Sequence, residues 1–256
     1  MNDPSRPRLI VDVGNTSIGA AEFAGSGQSG WWRTPLRHWN WRPHHEPPWH
    51  DWPDAPIEWV VASVNHRVRD ELHSAVAERR PNDQWQEIVS SQFPIVTEVA
   101  NKSAVGADRI AAAFAANRLR ERDRGAVVID AGSAINVEWI DPRGVFCGGA
   151  ILPGMAMAAR ALSLDTELLP RVAPAHDPPR AVGRDTTEAI RSGLYWGAWG
   201  AIKELAAEFA RGQSTPPHVM LTGGGLLWAE LAHGMELHPH LVLSGIALAW
   251  HELQSP

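Results

Sequence analysis

The first pronounced hydrophobic pattern in the chain is the apolar run at residues 9–11, which predicts a strand buried on both faces. Asp12 follows this run, and Gly14 comes where the chain turns, because glycine adopts backbone conformations that a side chain hinders. Residues 15–17 add an amide and two hydroxyl groups, and the segment from Ile18 to Phe23 predicts a returning strand. The pattern fits an ordinary hairpin, and equally a turn that holds phosphate oxygens beside a cation-binding carboxylate.

A second copy of this pattern lies about half a chain later. Residues 127–129 are apolar and lead to Asp130, Gly132 and the hydroxyl group of Ser133. The repeat favours the functional interpretation, because two related hairpins that face one nucleotide could each hold one end of its phosphate chain.

The remaining hydrophobic periodicity alternates between strand and helix, which is typical of an α/β protein. In the first half it predicts a strand at 57–64, a helix at 68–80, a strand at 95–100 and a helix that opens after Gly106. In the second half it predicts a hairpin at 127–141, helices at 155–162 and 186–209, a strand at 218–222, a helix at 226–233, and a strand-to-helix segment or one helix at 241–253. We therefore predict two lobes, residues 1–118 and residues 119–256.

Asp108 and Arg109 fall in the first turn of the helix that opens after Gly106. The helix dipole favours an acidic residue there, so Asp108 could simply be a capping residue. An arginine is less expected at a helix N-terminus, where a cation is disfavoured. A carboxylate beside a guanidinium is also what a kinase needs, because the acid can deprotonate the attacking hydroxyl while the cation holds an anionic group.

Composition and charge narrow the class of protein. The 256 residues are 44% hydrophobic and 20% charged, with a net charge of −6, so nucleic acid is a poor default partner. Cys147 is the only cysteine, which excludes a disulfide within the chain and fits the reducing cytoplasm. The N-terminal residues lack the apolar segment of a signal peptide, and no apolar run is long enough to span a membrane.

Tryptophan is unusually frequent, with 13 residues in the chain and seven of them between Trp31 and Trp59. Prolines interrupt the same interval, so we expect a loop region whose indoles pack on the surface of a lobe or at a subunit interface. The glycine pattern at residues 25–30 has the spacing of a dinucleotide-binding motif. We reject that interpretation because an extended, proline-broken segment follows where the motif requires a helix.

Taken in chain order, these motifs resemble those of type III pantothenate kinases over nearly the whole sequence. The resemblance rests on an ordered set of segments, namely Asp12–Ser17, Val105–Arg109, Asp130–Ser133, Gly148–Gly154, Val182–Thr186 and Leu221–Gly224. It implies a two-lobed actin-like ATPase fold, a duplicated ribonuclease H-like fold that binds ATP in a cleft between the lobes. It also implies ATP-dependent phosphorylation of the primary hydroxyl of pantothenate, the first step toward coenzyme A.

The resemblance further implies roles for individual residues. The catalytic base would be Asp108, and pantothenate would be bound by Gly106, Ala107, Asp108, Arg109 and Thr186. ATP would be bound by Asp12, Val13, Gly14, Asn15, Thr16, Ser17, Ile18, Gly19 and Ser133. Asp130 would hold a monovalent cation, K⁺ or NH₄⁺, and Asp12 would bind Mg²⁺ through water. Such enzymes are homodimers, and the dimer partner helps to wall the pantothenate site.

Two other functions stay open at this stage, a non-catalytic accessory member of the same family and a kinase for another small hydroxy acid. The acids Asp12, Asp108 and Asp130 favour an enzyme, since a protein that only binds needs no base. Some positions differ from the residues usual in the family. These are Ile135, Asn136 and Glu138 in the second hairpin, and the segment 99–103, where the family often has an aromatic residue and a proline.

Overall fold

The computed structural model of the protein describes residues 7–24, 29–175, 177–223 and 234–255. The chain forms two compact units, the first from residues 1–119 with 240–256 and the second from residues 120–239. Its helices are α1 (His66–Arg79), α2 (Ala107–Leu119), α3 (Met155–Leu164), α4 (Thr186–Phe209) and α5 (Leu241–Gln254). In the described part of the chain, none of the helices combines the length and apolar composition that crossing a bilayer requires.

The first unit is built on a five-stranded sheet. Its strands are β1 (Arg8–Val13), β2 (Ile18–Glu22), β3 (Arg37–Trp41), β4 (Glu58–Ser63) and β5 (Gln84–Glu87). They lie in the order β3-β2-β1-β4-β5. β2 is antiparallel to its neighbours β1 and β3, and β4 is parallel to its neighbours β1 and β5. Leu9, Ile10 and Val11 are all buried, as predicted for a strand covered on both faces.

The second unit repeats this topology. Its strands are β6 (Ala126–Ala131), β7 (Ala134–Ile140), β8 (Phe146–Pro153), β9 (His218–Thr222) and β10 (Glu236–Leu237). β6 pairs antiparallel with β7, which pairs antiparallel with β8, and on the other side β6 is parallel to β9 and β9 to β10. In both sheets the first strand therefore lies at the centre, with a meander on one side and two parallel strands on the other.

The tryptophan-rich stretch differs from the prediction. Residues 37–41 form β3 rather than a loop, because Trp39 and Trp41 alternate with polar residues at the two-residue period of a strand. Trp52 and Trp59 are buried, and their ring centroids are 5.0 Å apart in an edge-to-face arrangement. The indoles thus contribute to the core of the first unit.

Three other predictions meet the structure differently. The strand expected at 95–100 is wrong, since this segment is irregular and is followed by a short 3-10 turn at Lys102–Ala104. The edge strand β5 was missed, because its sequence Gln-Trp-Gln-Glu carries little hydrophobic signal. The helix expected at 226–233, and most of the glycine pattern at 25–30, lie outside the described residues.

The end of the chain is one helix, α5, and it belongs to the first unit. It packs closely on α2, where a side chain at Gly245 would overlap the backbone of Ala111. The ion pair between Arg118 of α2 and Glu252 of α5, at 2.9 Å, joins the same two helices. The predicted division placed residues 240–256 in the C-terminal lobe, whereas the structure groups them with residues 1–119.

Candidate active site

The first aspartate–glycine hairpin presents a short polar loop. Gly14 donates its backbone N–H to the carbonyl oxygen of Ser17 at 3.0 Å, which closes the loop between β1 and β2. A Cβ atom at Gly14 would lie 2.9 Å from that same oxygen, so the tight turn requires glycine. Asn15, Thr16 and Ser17 are exposed, whereas Val13 and Ile18 on either side are buried. The exposed polar residues of the loop therefore lie between two buried positions that hold its ends.

Asn65 supports this loop, a role that no local sequence pattern indicates. Its side-chain oxygen accepts a hydrogen bond from the backbone N–H of Val68 at 3.2 Å, which caps α1. Its side-chain nitrogen then donates to Oδ1 of Asn15 at 3.2 Å. Because the cap fixes the orientation of the amide, Asn65 also fixes the side chain of Asn15. An Asn 50 residues away along the chain gives no local signal of such a contact.

Gly106 and Asp108 form the second part of the site in the first unit. Asp108 lies in the first turn of α2, and its Oδ1 accepts a hydrogen bond from the backbone N–H of Arg109 at 2.7 Å. The carboxylate folds back over Gly106, where a Cβ atom would overlap Asp108 Oδ1 and lie 3.3 Å from Cγ1 of Val64. Glycine at 106 thus leaves room for the carboxylate.

The surroundings of Asp108 change its acidity. Burial raises the pKa of the Asp108 carboxyl above its ordinary value, although the Arg109 N–H and the Arg109 charge oppose the shift. Ala107 is buried and Arg109 is half-buried beside it, so the predicted substrate-binding residues 106–109 are consecutive positions at one helix end. A carboxylate with a raised pKa is a better proton acceptor than an ordinary aspartate.

Val64 connects the two parts of the site in the first unit. Its backbone N–H donates to the carbonyl oxygen of Val13 at 3.1 Å, at the end of β1. Its side chain faces Gly106. The polar loop at residues 14–17 and the turn before α2 therefore both lie next to Val64.

The second unit carries the other aspartate–glycine hairpin. Gly132 donates its N–H to the carbonyl oxygen of Ala134 at 3.0 Å, and Gly132 and Ser133 are exposed at the tip. Gly154 N–H donates to the Ser133 carbonyl oxygen at 3.1 Å, and a side chain at Gly154 would overlap that oxygen. Gly154, which follows β8, therefore holds the tip of the hairpin from one side. The close approach of the two backbones explains why the sequence has a Pro-Gly pair here.

Gly223 lies against Asp130. A Cβ atom at Gly223 would lie 2.5 Å from Asp130 Oδ1 and 2.6 Å from the carbonyl oxygen of Ala131, and its φ of +97° also favours glycine. Asn136 faces Asp130 directly across the β6–β7 ladder. Asp130 therefore lies near the carbonyl oxygen of Ala131 and opposite Asn136, and carboxylate, carbonyl and amide oxygens are the ligands that hard cations such as Mg²⁺ prefer.

Thr186 is exposed at the first position of α4 in the second unit. Asp185 caps this helix by accepting the N–H of Glu188 at 2.8 Å, and Glu188 in turn accepts the N–H of Arg184 at 2.9 Å. These two bonds fix the start of the helix, where the hydroxyl group of Thr186 lies. An apolar groove runs beside it, lined by residues of α3, of α4 and of the segment between them, which include Met157, Leu162, Leu169, Ile190 and Leu194.

Comparisons with known proteins identify the family. Residues 8–208 match the family model described as type III pantothenate kinase. The type III pantothenate kinase of Endomicrobium trichonymphae is 30% identical over 250 residues, 84% of this chain and 87% of that protein. That of Rubrobacter xylanophilus is 42% identical over 127 residues, 48% of this chain and 47% of that protein.

Among solved structures, the ethanolamine utilization protein EutJ from Carboxydothermus hydrogenoformans has a TM-score of 0.51 at 12% identity, over 97% of this chain and 92% of that one. At this identity the similarity bears on the fold alone. The predicted fold class, a two-lobed α/β fold of the actin-like ATPase type, is confirmed, and the family match extends through both hairpins. The chain belongs to the type III pantothenate kinase family.

Proposed function

We propose that this chain transfers the γ-phosphoryl group of ATP to the primary hydroxyl of pantothenate, with Asp108 as the base. The observation that carries this proposal is the carboxylate of Asp108, folded over Gly106 at the start of α2 beside Arg109. In the transfer, the hydroxyl oxygen forms a bond to the γ-phosphorus and the bond from that phosphorus to the leaving ADP oxygen breaks. The hydroxyl proton passes to Asp108, and ADP and 4′-phosphopantothenate are released.

The base does not need to be strong. Phosphoryl transfer is mostly positioning and charge stabilisation, so the proton can leave late, once the new P–O bond is forming. The raised pKa of Asp108 improves its ability to accept that proton. Arg109, Gly106, Ala107 and Thr186 would bind pantothenate, and the guanidinium of Arg109 suits its carboxylate.

The two hairpin loops would bind the nucleotide. Residues 12–19 supply a tight turn with exposed amide and hydroxyl groups, and Ser133 supplies a second exposed hydroxyl. The oxygen donors at Asp130 fit a monovalent cation, and Asp12 would hold Mg²⁺ through water. When bound, such cations neutralise the negative charge on the phosphates.

A homodimer is part of the proposal, and the exposed apolar residues of the second unit support it. Leu168 is 86% exposed, Val182 is 80% exposed and Leu164 is 73% exposed, all near the apolar groove beside Thr186. Large exposed side chains next to a groove are typical of an interface between subunits. A second copy seated there would also reach the substrate-binding residue Thr186. The single cysteine and the use of ATP support a cytoplasmic location.

The proposal is tested by measuring ADP release with ATP, Mg²⁺ and pantothenate, first in K⁺ and then in Na⁺. We expect turnover that depends on pantothenate and on K⁺, and a loss of about 10²- to 10⁴-fold in kcat for Asp108→Asn. Asp123→Asn is the matched control, since Asp123 is exposed and its φ of +61° suits asparagine equally well.

The outcomes separate the parts of the proposal. An active wild type with an equally active Asp108→Asn variant would exclude Asp108 as the base. A folded wild type without pantothenate-dependent turnover would refute the assigned reaction and return the chain to the accessory or other-substrate alternatives. Equal rates in K⁺ and Na⁺ would refute the cation assignment at Asp130.

A further inference from the structure

Lys102 makes contacts that the predicted reaction does not explain. Its ammonium group donates to the carbonyl oxygen of Phe93 at 2.6 Å and to that of Ile95 at 3.1 Å. Both bonds are charge-assisted, which makes them stronger than ordinary amide hydrogen bonds. Burial lowers the pKa of Lys102, so the ammonium lies in a partly desolvated position. A lysine in such a place is used for its contacts rather than for solubility.

The two carbonyl oxygens belong to a segment that is fixed in the core. Phe93 is buried and packs edge-on against Phe114 of α2, with the ring centroids 6.5 Å apart. Ile95 is also buried, and its N–H donates to the Phe93 carbonyl at 2.8 Å. Lys102 therefore ties its own turn to a rigid part of the first unit.

A second tether acts on the same turn from the other end. Ser90 donates its hydroxyl to the carbonyl oxygen of Val105 at 2.6 Å. The 3-10 turn between the tethers is closed by the Val105 N–H, which donates to the Lys102 carbonyl at 3.2 Å, and Asn101 caps it by accepting the Ser103 N–H at 3.0 Å. The turn is thus held at both Lys102 and Val105.

Gly106 follows Val105 directly, and Asp108 is two residues further on. The segment has no strand or helix of its own between residue 93 and the start of α2 apart from this turn, within the residues described. Its backbone position is set by side chains that bond to main-chain carbonyls. A shift of the turn would be passed through Val105 to Gly106 and to the Asp108 carboxylate that lies against it.

The composition of the chain sharpens this observation. Only two of its 23 basic residues are lysines, Lys102 and Lys203. An ammonium group is a compact donor on a flexible stem, and it can reach two carbonyl oxygens that lie close together. The planar guanidinium of arginine has a different donor geometry.

We infer that Lys102 is a positioning residue for the reaction, and that it holds the turn before α2 so that Gly106–Arg109 meets the acceptor hydroxyl of pantothenate in register. The inference rests on the proposed role of Gly106–Arg109 in binding pantothenate. Lys102 contacts neither the substrate nor the reacting atoms in this account. It acts through the loop, as does Ser90.

The test compares Lys102→Met and Ser90→Ala with wild type by steady-state kinetics for both substrates. Methionine keeps the apolar length of the side chain but removes the donors. We expect Lys102→Met to lower kcat/KM for pantothenate by about 10- to 100-fold, as a misplacement of about 1 Å does in other sites. The KM for ATP stays within about twofold, because the ATP loops are not tethered by Lys102.

Lys203→Met is the matched control. Lys203 lies on α4 in the second unit, where its ammonium is 5.8 Å from the Trp199 ring centroid, and the change removes the same charge. We expect wild-type kinetics from it. Ser90→Ala removes the second tether and a single neutral hydrogen bond, so it gives a smaller change in the same direction and serves if Lys102→Met fails to fold.

The inference is overturned if folded Lys102→Met and Ser90→Ala both keep kcat/KM for pantothenate within about twofold of wild type. It is also overturned if Lys102→Met raises the KM values for ATP and pantothenate together, or if it lowers only the thermal stability. Either result is expected of a lysine that stabilises the fold without positioning Gly106–Arg109. Asp108→Asn distinguishes this failure from failure of the proposed function. An inactive Asp108→Asn beside an unaffected Lys102→Met leaves the base in place and removes only the positioning role.

Discussion

Replacement of Gly106 by alanine would test directly whether the position of Asp108 determines the rate. Gly106 has no positive φ, so alanine is allowed by the backbone, and the effect comes from contact alone. The added methyl group would overlap Asp108 Oδ1 and would lie 3.3 Å from Val64 Cγ1. Val64 leaves little room on one side, so the carboxylate is the group that has to move.

The size of the effect follows from the displacement. Ordinary contact with a Cβ atom begins at 3.4 Å, so the carboxylate oxygen has to retreat by about 1 Å, and such a misplacement costs roughly 10²-fold in rate. The neighbour is the end of a side chain rather than backbone, so the fold is retained. We expect kcat/KM for pantothenate to fall by about 100-fold, with a thermal midpoint close to that of wild type.

The assay is steady-state ADP release together with thermal unfolding. Gly200→Ala is the matched control, because a side chain at this position in α4 meets nothing within 4 Å and the position does not line the apolar groove beside Thr186. It should keep full activity and gain about 0.5–1 kcal/mol of stability from the helix preference of alanine. If folded Gly106→Ala retains activity within about threefold of wild type, the position of the Asp108 carboxylate does not limit the reaction and the reasoning is wrong.

Three further predictions concern the acidity of Asp108, its effect on stability and the subunit interface. The pKa of Asp108 is raised by burial, so the acid limb of the kcat/KM profile should lie above the pH at which an ordinary aspartate is protonated. The folded protein resists ionisation of the buried Asp108 carboxyl, so wild type loses stability as the pH rises through the pKa that this group has in the unfolded chain. Asp108→Asn should therefore unfold at a higher temperature than wild type at pH 7, and the difference should vanish in acid, where Asp108 is protonated in both states. A variant less stable than wild type at pH 7 would contradict the raised pKa. Leu168→Glu, at a position 86% exposed, should convert a dimer into monomers in size-exclusion chromatography, whereas Leu253→Glu, on α5 of the first unit, should not; a dimer in both variants would exclude the groove as the interface.

Local patterns made much of the fold predictable. Consecutive residues specify the buried strands and glycine turns of both hairpins. They also specify the helix after Gly106 and the cap of α4 at Asp185. The strand β3 was missed because prolines and histidines around it obscure the alternation of Trp39 and Trp41. The irregular segment at 95–100 was misread because its apolar residues suggest a strand, whereas the Ile95 carbonyl oxygen accepts a hydrogen bond from the Lys102 ammonium and Val96 is exposed.

The sequence alone determined the family and the class of reaction and predicted the residues that carry the chemistry, because an ordered set of short motifs is recognised without knowledge of distant contacts. Only the tertiary structure decided that α5 belongs to the first unit, that Gly106 makes room for the Asp108 carboxylate, and that Gly223 lies beside Asp130. The structure also brought Lys102 to the carbonyl oxygens of residues 93 and 95. These features depend on which side chains and backbone segments approach each other in space, and spacing along the chain does not specify that.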